Sequence, residues 1–99
     1  MKYGMSPAQW ALLDTLVIQP LRDLGAEVYL FGSRVSGRHH PHSDVDLLYR
    51  VSRPLPAGVI ARITEAIEES RFPFKVDLVN EKDLAESYRK NVLASMKAL

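Results

Sequence analysis

Three aspartates, a Gly-Ser pair and the arginines beside it are the residues of this chain whose types and spacing suit chemistry. Asp44 and Asp46 stand two apart at the head of an otherwise apolar run, DVDLLYRV, residues 44–51. Side chains alternate faces along a strand, so both carboxylates point one way while Val45 and Leu47 point the other. Asp77 lies in a similar run, FKVDLV (74–79), and shares a face there with Lys75. If the two strands are neighbours in suitable register, Asp77 converges on Asp44 and Asp46. Carboxylates crowded in this way either take up protons or hold a cation. An all-oxygen set without thiolates suits a hard divalent ion, magnesium or manganese, rather than zinc. Two same-face aspartates are ~6–7 Å apart along a strand. That span can bridge two metals ~3.5–4 Å apart, the arrangement used for in-line phosphoryl displacement. A lone Asp-x-Asp is also what a solvated turn and an open sheet face produce, so the residues upstream decide.

Upstream, Gly32-Ser33 directly follows the run EVYLF, 27–31. A glycine there lets the backbone approach a ligand, and the amides that open the next turn can point at an anion. The Ser33 hydroxyl adds a donor. Arg34 and Arg38 bring positive charge to the same loop, and a guanidinium matches phosphate with a two-pronged contact. One end of the loop therefore suits a triphosphate and the other a metal pair, which is how magnesium is commonly bound, by carboxylates together with substrate phosphates. Taken singly, each of these residues reads equally well as a turn glycine or a solvated arginine.

The elements that must position these groups follow from local signals. SPAQW (6–10) opens a helix, with Ser6 as N-cap, Pro7 in the first turn and Gln9 at the capping-box position. Trp10, Leu13, Val17 and Leu24 recur at helical spacing up to a stop at Gly25, and Pro20 implies a kink or break. EVYLF and DVDLLYRV read as strands. Two prolines in SRPLP (52–56) end the second strand, and Ile60, Ile63 and Ile67 mark the inner face of a helix over 57–70. FKVDLV is the third strand. Asn80 then caps a last helix whose inner side carries Leu84, Tyr88 and Val92. The expectation is one α/β (α+β) domain over 1–99: a small mixed sheet of three or four strands with helices packed against it.

The string FGSRVSG followed by SDVDLL resembles the polymerase-β nucleotidyltransferase superfamily. Within it the likeness is to the minimal nucleotidyltransferases (MNT), the antitoxin half of HEPN–MNT toxin–antitoxin pairs. It covers Glu27 to Leu48 closely and Asp77 by order and context. The resemblance implies that Asp44, Asp46 and Asp77 are the catalytic and metal-binding residues, with two magnesium ions. Gly32 and Ser33 would hold the β- and γ-phosphates of ATP, with Arg34 assigned to phosphate contact and Arg38 a weaker candidate. It also implies transfer of AMP from ATP to a tyrosine of a partner HEPN ribonuclease. Two other readings stay open on the residues alone: an antitoxin that only binds its toxin, and a nucleotidyltransferase acting on a small molecule or a nucleic-acid end.

Composition narrows the setting. Ninety-nine residues with 46% apolar content suffice for one real core. A net charge of +1 argues against a strong nucleic-acid surface. The absence of cysteine suits the cytoplasm, and no apolar run or leader-like start suggests a membrane segment. The cluster RHHPH (38–42) lacks zinc-motif spacing, so His39, His40 and His42 read as a solvated loop. With little chain left to grip a base or an acceptor, a partner is expected to complete the site, and Tyr88, Met96 and Leu99 face it or pack on the sheet.

Overall fold

The computed structural model describes residues 2–99. Helix α1 (Pro7–Leu13) starts as its sequence requires: the Ser6 hydroxyl accepts from the Gln9 N–H at 3.2 Å, and the Gln9 side chain accepts from the Ser6 N–H at 2.9 Å. Pro20 does not break the helix. Instead the chain widens into a π-turn over Asp14–Ile18, with the Gln19 N–H reaching back to the Asp14 carbonyl, before α2 (Gln19–Asp23). Proline in a regular helix would collide with the carbonyl four residues back, and the wider turn is one of the ways a helix absorbs it. Leu13, Val17, Ile18 and Leu21 are the residues this segment buries, whereas Leu24 is 44% exposed and lies outside the core. Trp10 is half-buried at the rim, packed on Tyr3, with its indole N–H donating to the Lys2 carbonyl.

Strand β1 (Glu27–Phe31) has the bounds its β-branched and aromatic residues suggest. A single turn, α3 (Ser33–Ser36), follows, then the loop to β2 (Val45–Arg50). Helix α4 (Val59–Glu68) buries Val59, Ile63 and Ile67, and Ile60 is partly buried and packed against the same core. Strand β3 is Val76–Asn80. Asn80 does act as a cap, but of a 3-10 turn over Glu81–Asp83, and extended backbone at Leu84 and Ala85 separates that turn from α5 (Glu86–Ser95). The sheet's fourth strand, β4 (Lys97–Ala98), falls in a segment that the sequence did not mark as a strand.

The sheet is mixed, in the order β3-β2-β1-β4. β1 runs antiparallel to β2 and β4, and β2 runs parallel to β3. Because side chains alternate, Val28, Leu30, Val45, Leu47 and Val76 face one side, where they form the core with α1, α2 and α4. The other side carries Phe31, Asp46, Leu48, Asp77 and Val79. Among the described residues no helix is long and apolar enough to cross a membrane.

Candidate active site

The register of the sheet does what the alternation required. Asp46 is directly paired with Phe31 on one side and with Asp77 on the other. Neighbouring strands are only ~4.8 Å apart, and the Asp46 and Asp77 carboxyls come within hydrogen-bonding reach of each other. Asp46 is half-buried, and its pKa is pushed up by that burial first, then by the charges of Asp77 and Asp44, with Lys75 acting in the opposite sense. Asp44 precedes β2 and is exposed. It acts on Asp46 through its charge. Among the described residues no three acidic or histidine side chains already enclose a point where an ion would sit.

Gly32 closes the site from the other side. Its φ of 83° and ψ of −154° lie in a region that only glycine adopts easily. A Cβ there would overlap Asp46 Oδ2 outright and lie 3.3 Å from its Cγ. Two strong constraints thus fall on one residue: the turn needs a glycine conformation, and the carboxylate needs the space that a side chain would fill. The Val35 and Ser36 N–H groups return to the Gly32 carbonyl, which winds α3 immediately after the close approach. Ser33 is the first residue of that turn.

The donor set fits a hard cation. Magnesium takes one or two protein carboxylates and fills the remaining positions with water and substrate phosphate. Asp46 with Asp77, and Asp44 at the margin, supply that pattern; the charges of Asp77 and Asp44, which add to the larger effect of burial in raising the pKa of Asp46, are charges that a cation would neutralise. Lys75, whose ammonium lies 3.5 Å from Asp77, supplies part of that compensation. Sequence reading placed Lys75 on the right face but gave it no role.

Arg34 requires correction. A phosphate contact is what its position after Gly32-Ser33 suggested. The side chain is instead 2% exposed, donating from Nη1 to the Tyr3 carbonyl at 2.9 Å and from Nη2 to the Ser43 carbonyl at 2.7 Å. The guanidinium also lies over the Phe74 ring, 4.2 Å from its centroid. Burial lowers its pKa, with Asp44 and Asp46 opposing. Arg34 therefore ties the N-terminal turn, the residue before Asp44 and the approach to β3 to the start of α3. It holds the site from behind. Arg38 and His42 are exposed, and the loop is closed locally by the His40 N–H donating to Ser43 Oγ at 2.9 Å.

A mixed sheet of this order, a Gly-Ser turn seated against a strand carboxylate and a second aspartate in register beside it define a nucleotidyltransferase. The chain belongs to that family, the nucleotidyltransferase domain, which its residues 16–99 match. It is 35% identical over 79 residues to a Haemophilus influenzae protein named "Probable protein adenylyltransferase MntA", covering 80% of this chain and 68% of that relative. Among solved structures it is similar to a toxin–antitoxin complex with AMP-PNP, at a TM-score of 0.66 and 25% identity over 86% of this chain and 70% of that one. It is also similar to a mutant of the toxin–antitoxin MntA-HpeT, at a TM-score of 0.65 and 26% identity over 87% of this chain and 70% of that one. The likeness to minimal nucleotidyltransferases read from the motif agrees with these relatives.

Proposed function

We propose that this chain is a magnesium-dependent adenylyltransferase that moves AMP from ATP to a tyrosine of a HEPN-type toxin, and so acts as the toxin's antitoxin. The observation that carries the reading is the packing of Gly32 against Asp46, with Asp77 paired across the strand. That packing supports the reading because the turn taken to hold phosphate then lies against the carboxylate taken to hold metal. Membership of the nucleotidyltransferase family supports the chemistry, and the adenylyltransferase and toxin–antitoxin relatives support the substrate and the partner.

In this reading Gly32 and Ser33 hold the β- and γ-phosphates through backbone amides and the hydroxyl. Asp44 and Asp46 would hold the metal ions, with Asp77 completing the set on the side of the acceptor. Bound magnesium would neutralise charge on the phosphates as it develops. The tyrosine oxygen attacks the α-phosphorus, the bond from that phosphorus to the α,β-bridging oxygen breaks, and pyrophosphate leaves. Asp77, exposed enough to meet an incoming group, accepts the phenolic proton. Positioning and charge compensation supply most of the acceleration in such a transfer. A reaction that draws on ATP belongs in the cytoplasm, in keeping with the absence of cysteine.

The test is incubation with magnesium and ATP labelled at the α-phosphate, with and without the HEPN partner, alongside the Asp44→Asn/Asp46→Asn variant. Label on the partner that requires the intact aspartates is the expected result. A tight complex without label would refute transfer and leave neutralisation by occlusion.

A further inference from the structure

Lys75 stands beside the carboxylates, and the transfer reading gives it no part. The register fixes its place. Val45 pairs with Val76, and the Val45 N–H donates to the Lys75 carbonyl at 2.8 Å, so Lys75 lies level with Asp44 across the gap between β2 and β3. Alternation puts its side chain on the face of Asp77, two residues further on. The ammonium reaches forward to Asp77 Oδ1, 3.5 Å away. Its charge also acts on Asp46, against the burial and the neighbouring carboxylates. Strand β3 is an edge of the sheet, and the Lys75 side chain is 68% exposed. Arg34, a second cation close to these acids, is buried and committed to the Tyr3 and Ser43 carbonyls. An exposed ion pair adds little to the stability of a fold. What this one changes is the charge that an incoming cation meets.

We infer that Lys75 is a tethered counter-ion that competes with the metal for Asp77, and so sets how tightly the site binds a divalent cation. The inference rests on the metal-dependent transfer reading and deepens it: that reading names the ligands, and Lys75 is a residue that weakens their hold. Three carboxylates against one ammonium leave two negative charges on this patch, and without the lysine all three remain. A divalent ion drawn to Asp77 must displace the ammonium or bind beside it against like-charge repulsion. Displacement needs no movement of the backbone, because the lysine stem is long and lies in solvent. A unit charge about 6–8 Å from a divalent ion in a water-like dielectric, partly screened by salt, alters its binding about threefold to tenfold. The free chain therefore holds the cation loosely, and the phosphates of a substrate add the charge that completes its binding.

The experiment measures manganese binding to the chain without nucleotide, by electron paramagnetic resonance of the free ion at fixed neutral pH and ionic strength. Wild type is compared with Lys75→Met, which keeps the stem and drops the charge, and with Lys75→Arg, which keeps the charge. Asp44→Asn/Asp46→Asn, Asp77→Asn and Lys75→Met/Asp77→Asn complete the set. Circular dichroism checks that each variant folds. Lys75→Met is expected to bind manganese about threefold to tenfold more tightly than wild type, and Lys75→Arg to match wild type. Most of the gain should be lost on the Asp77→Asn background. Unchanged affinity in Lys75→Met would overturn the inference and leave the lysine a solvated charge. Weaker binding would also overturn it, because the lysine would then orient Asp77 for the metal. A gain that persists in full without Asp77 would refute competition for that carboxylate. In each of these cases a wild-type affinity that depends on Asp44 and Asp46 leaves the transfer reading standing. If manganese binding ignores Asp44→Asn/Asp46→Asn, the metal-dependent reading fails and takes the role of Lys75 with it.

Discussion

Replacing Gly32 with alanine separates two demands that meet at one residue. The first is conformational: at φ 83° and ψ −154° an L-residue sits in a region that costs about 1–3 kcal/mol. The second is steric, because the new methyl overlaps Asp46 Oδ2. That carboxylate is the tip of a short side chain and yields by turning away from its preferred rotamer, which adds about 0.5–1.5 kcal/mol. The combined loss for Gly32→Ala is therefore about 1.5–4.5 kcal/mol. Gly37 supplies the internal comparison. It too has a positive φ, 78°, in the left-handed region, but nothing lies within 4 Å of a Cβ placed there, so Gly37→Ala costs only a conformational part, about 1–2 kcal/mol. Urea unfolding in metal-free buffer measures both. The catalytic effects should diverge more than the stabilities: Gly32→Ala turns Asp46 away from Asp77 and lowers transfer about 100-fold or more, while Gly37→Ala leaves the rate near wild type. The steric part should vanish when Gly32→Ala is made on an Asp46→Ala background, giving a measurable coupling between the two positions. Equal stability losses at Gly32 and Gly37, or strict additivity with Asp46→Ala, would refute the claim that the glycine exists to make room for the carboxylate.

Other substitutions probe the groups around that contact. Arg34→Ala should lower stability by about 2–4 kcal/mol, because it leaves the Tyr3 and Ser43 carbonyls without their charged donor. Arg34→Lys should recover little of this, since an ammonium cannot reproduce the fork or the stacking on Phe74; thermal unfolding of both variants checks it. A loss confined to nucleotide binding, with stability unchanged, would restore Arg34 to the phosphates. The raised pKa of Asp46 fixes the sign of a pH effect. Ionised Asp46 weakens the metal-free fold at neutral pH, and the penalty fades as pH falls through the raised folded value toward the ordinary 3.8. Asp46→Asn should therefore be more stable than wild type at neutral pH, with the gap closing on acidification. Magnesium should narrow the same gap by stabilising wild type, while transfer by the Asn variant is lost.

What the chain discloses before folding is set by the range of the interactions involved. The Ser6–Gln9 capping box, the limits of β1 and the same-face placement of Asp46 and Asp77 depend on neighbours in sequence or on simple alternation, and all were legible. β4 was not, because two residues near the C-terminus become a strand only by pairing with Tyr29 and Leu30, far away in the chain. The start of α5 was misjudged for a related reason. Asn80 is a true cap, but what it caps is a short 3-10 turn, and the extended Leu84-Ala85 step that delays the helix has no local signature. Arg34 shows a limit of residue chemistry: a guanidinium suits phosphate and backbone carbonyl alike, and only burial distinguishes them. Tyr88, read as part of the last helix's inner side, is 63% exposed, because the periodicity that put Leu84, Tyr88 and Val92 on one side of a helix does not say how closely that side approaches the sheet.

The widened turn at Asp14–Ile18 bears on how this chain tolerates changes in length. Its buried residues, Leu13, Val17, Ile18 and Leu21, are spaced too broadly for one narrow stripe of a regular helix, spreading over ~140° at 100° per residue. The π-turn accommodates one residue more than an ordinary turn would. Removing Thr15 would bring the same four side chains to the compact spacing of an unbroken amphipathic helix, provided Pro20 is exchanged for a helix former in the same step. A one-residue deletion elsewhere in α1 or α2 rotates the inward face out of the core. The segment thus holds a spare residue, a place where the chain can be shortened without unseating the sheet behind it.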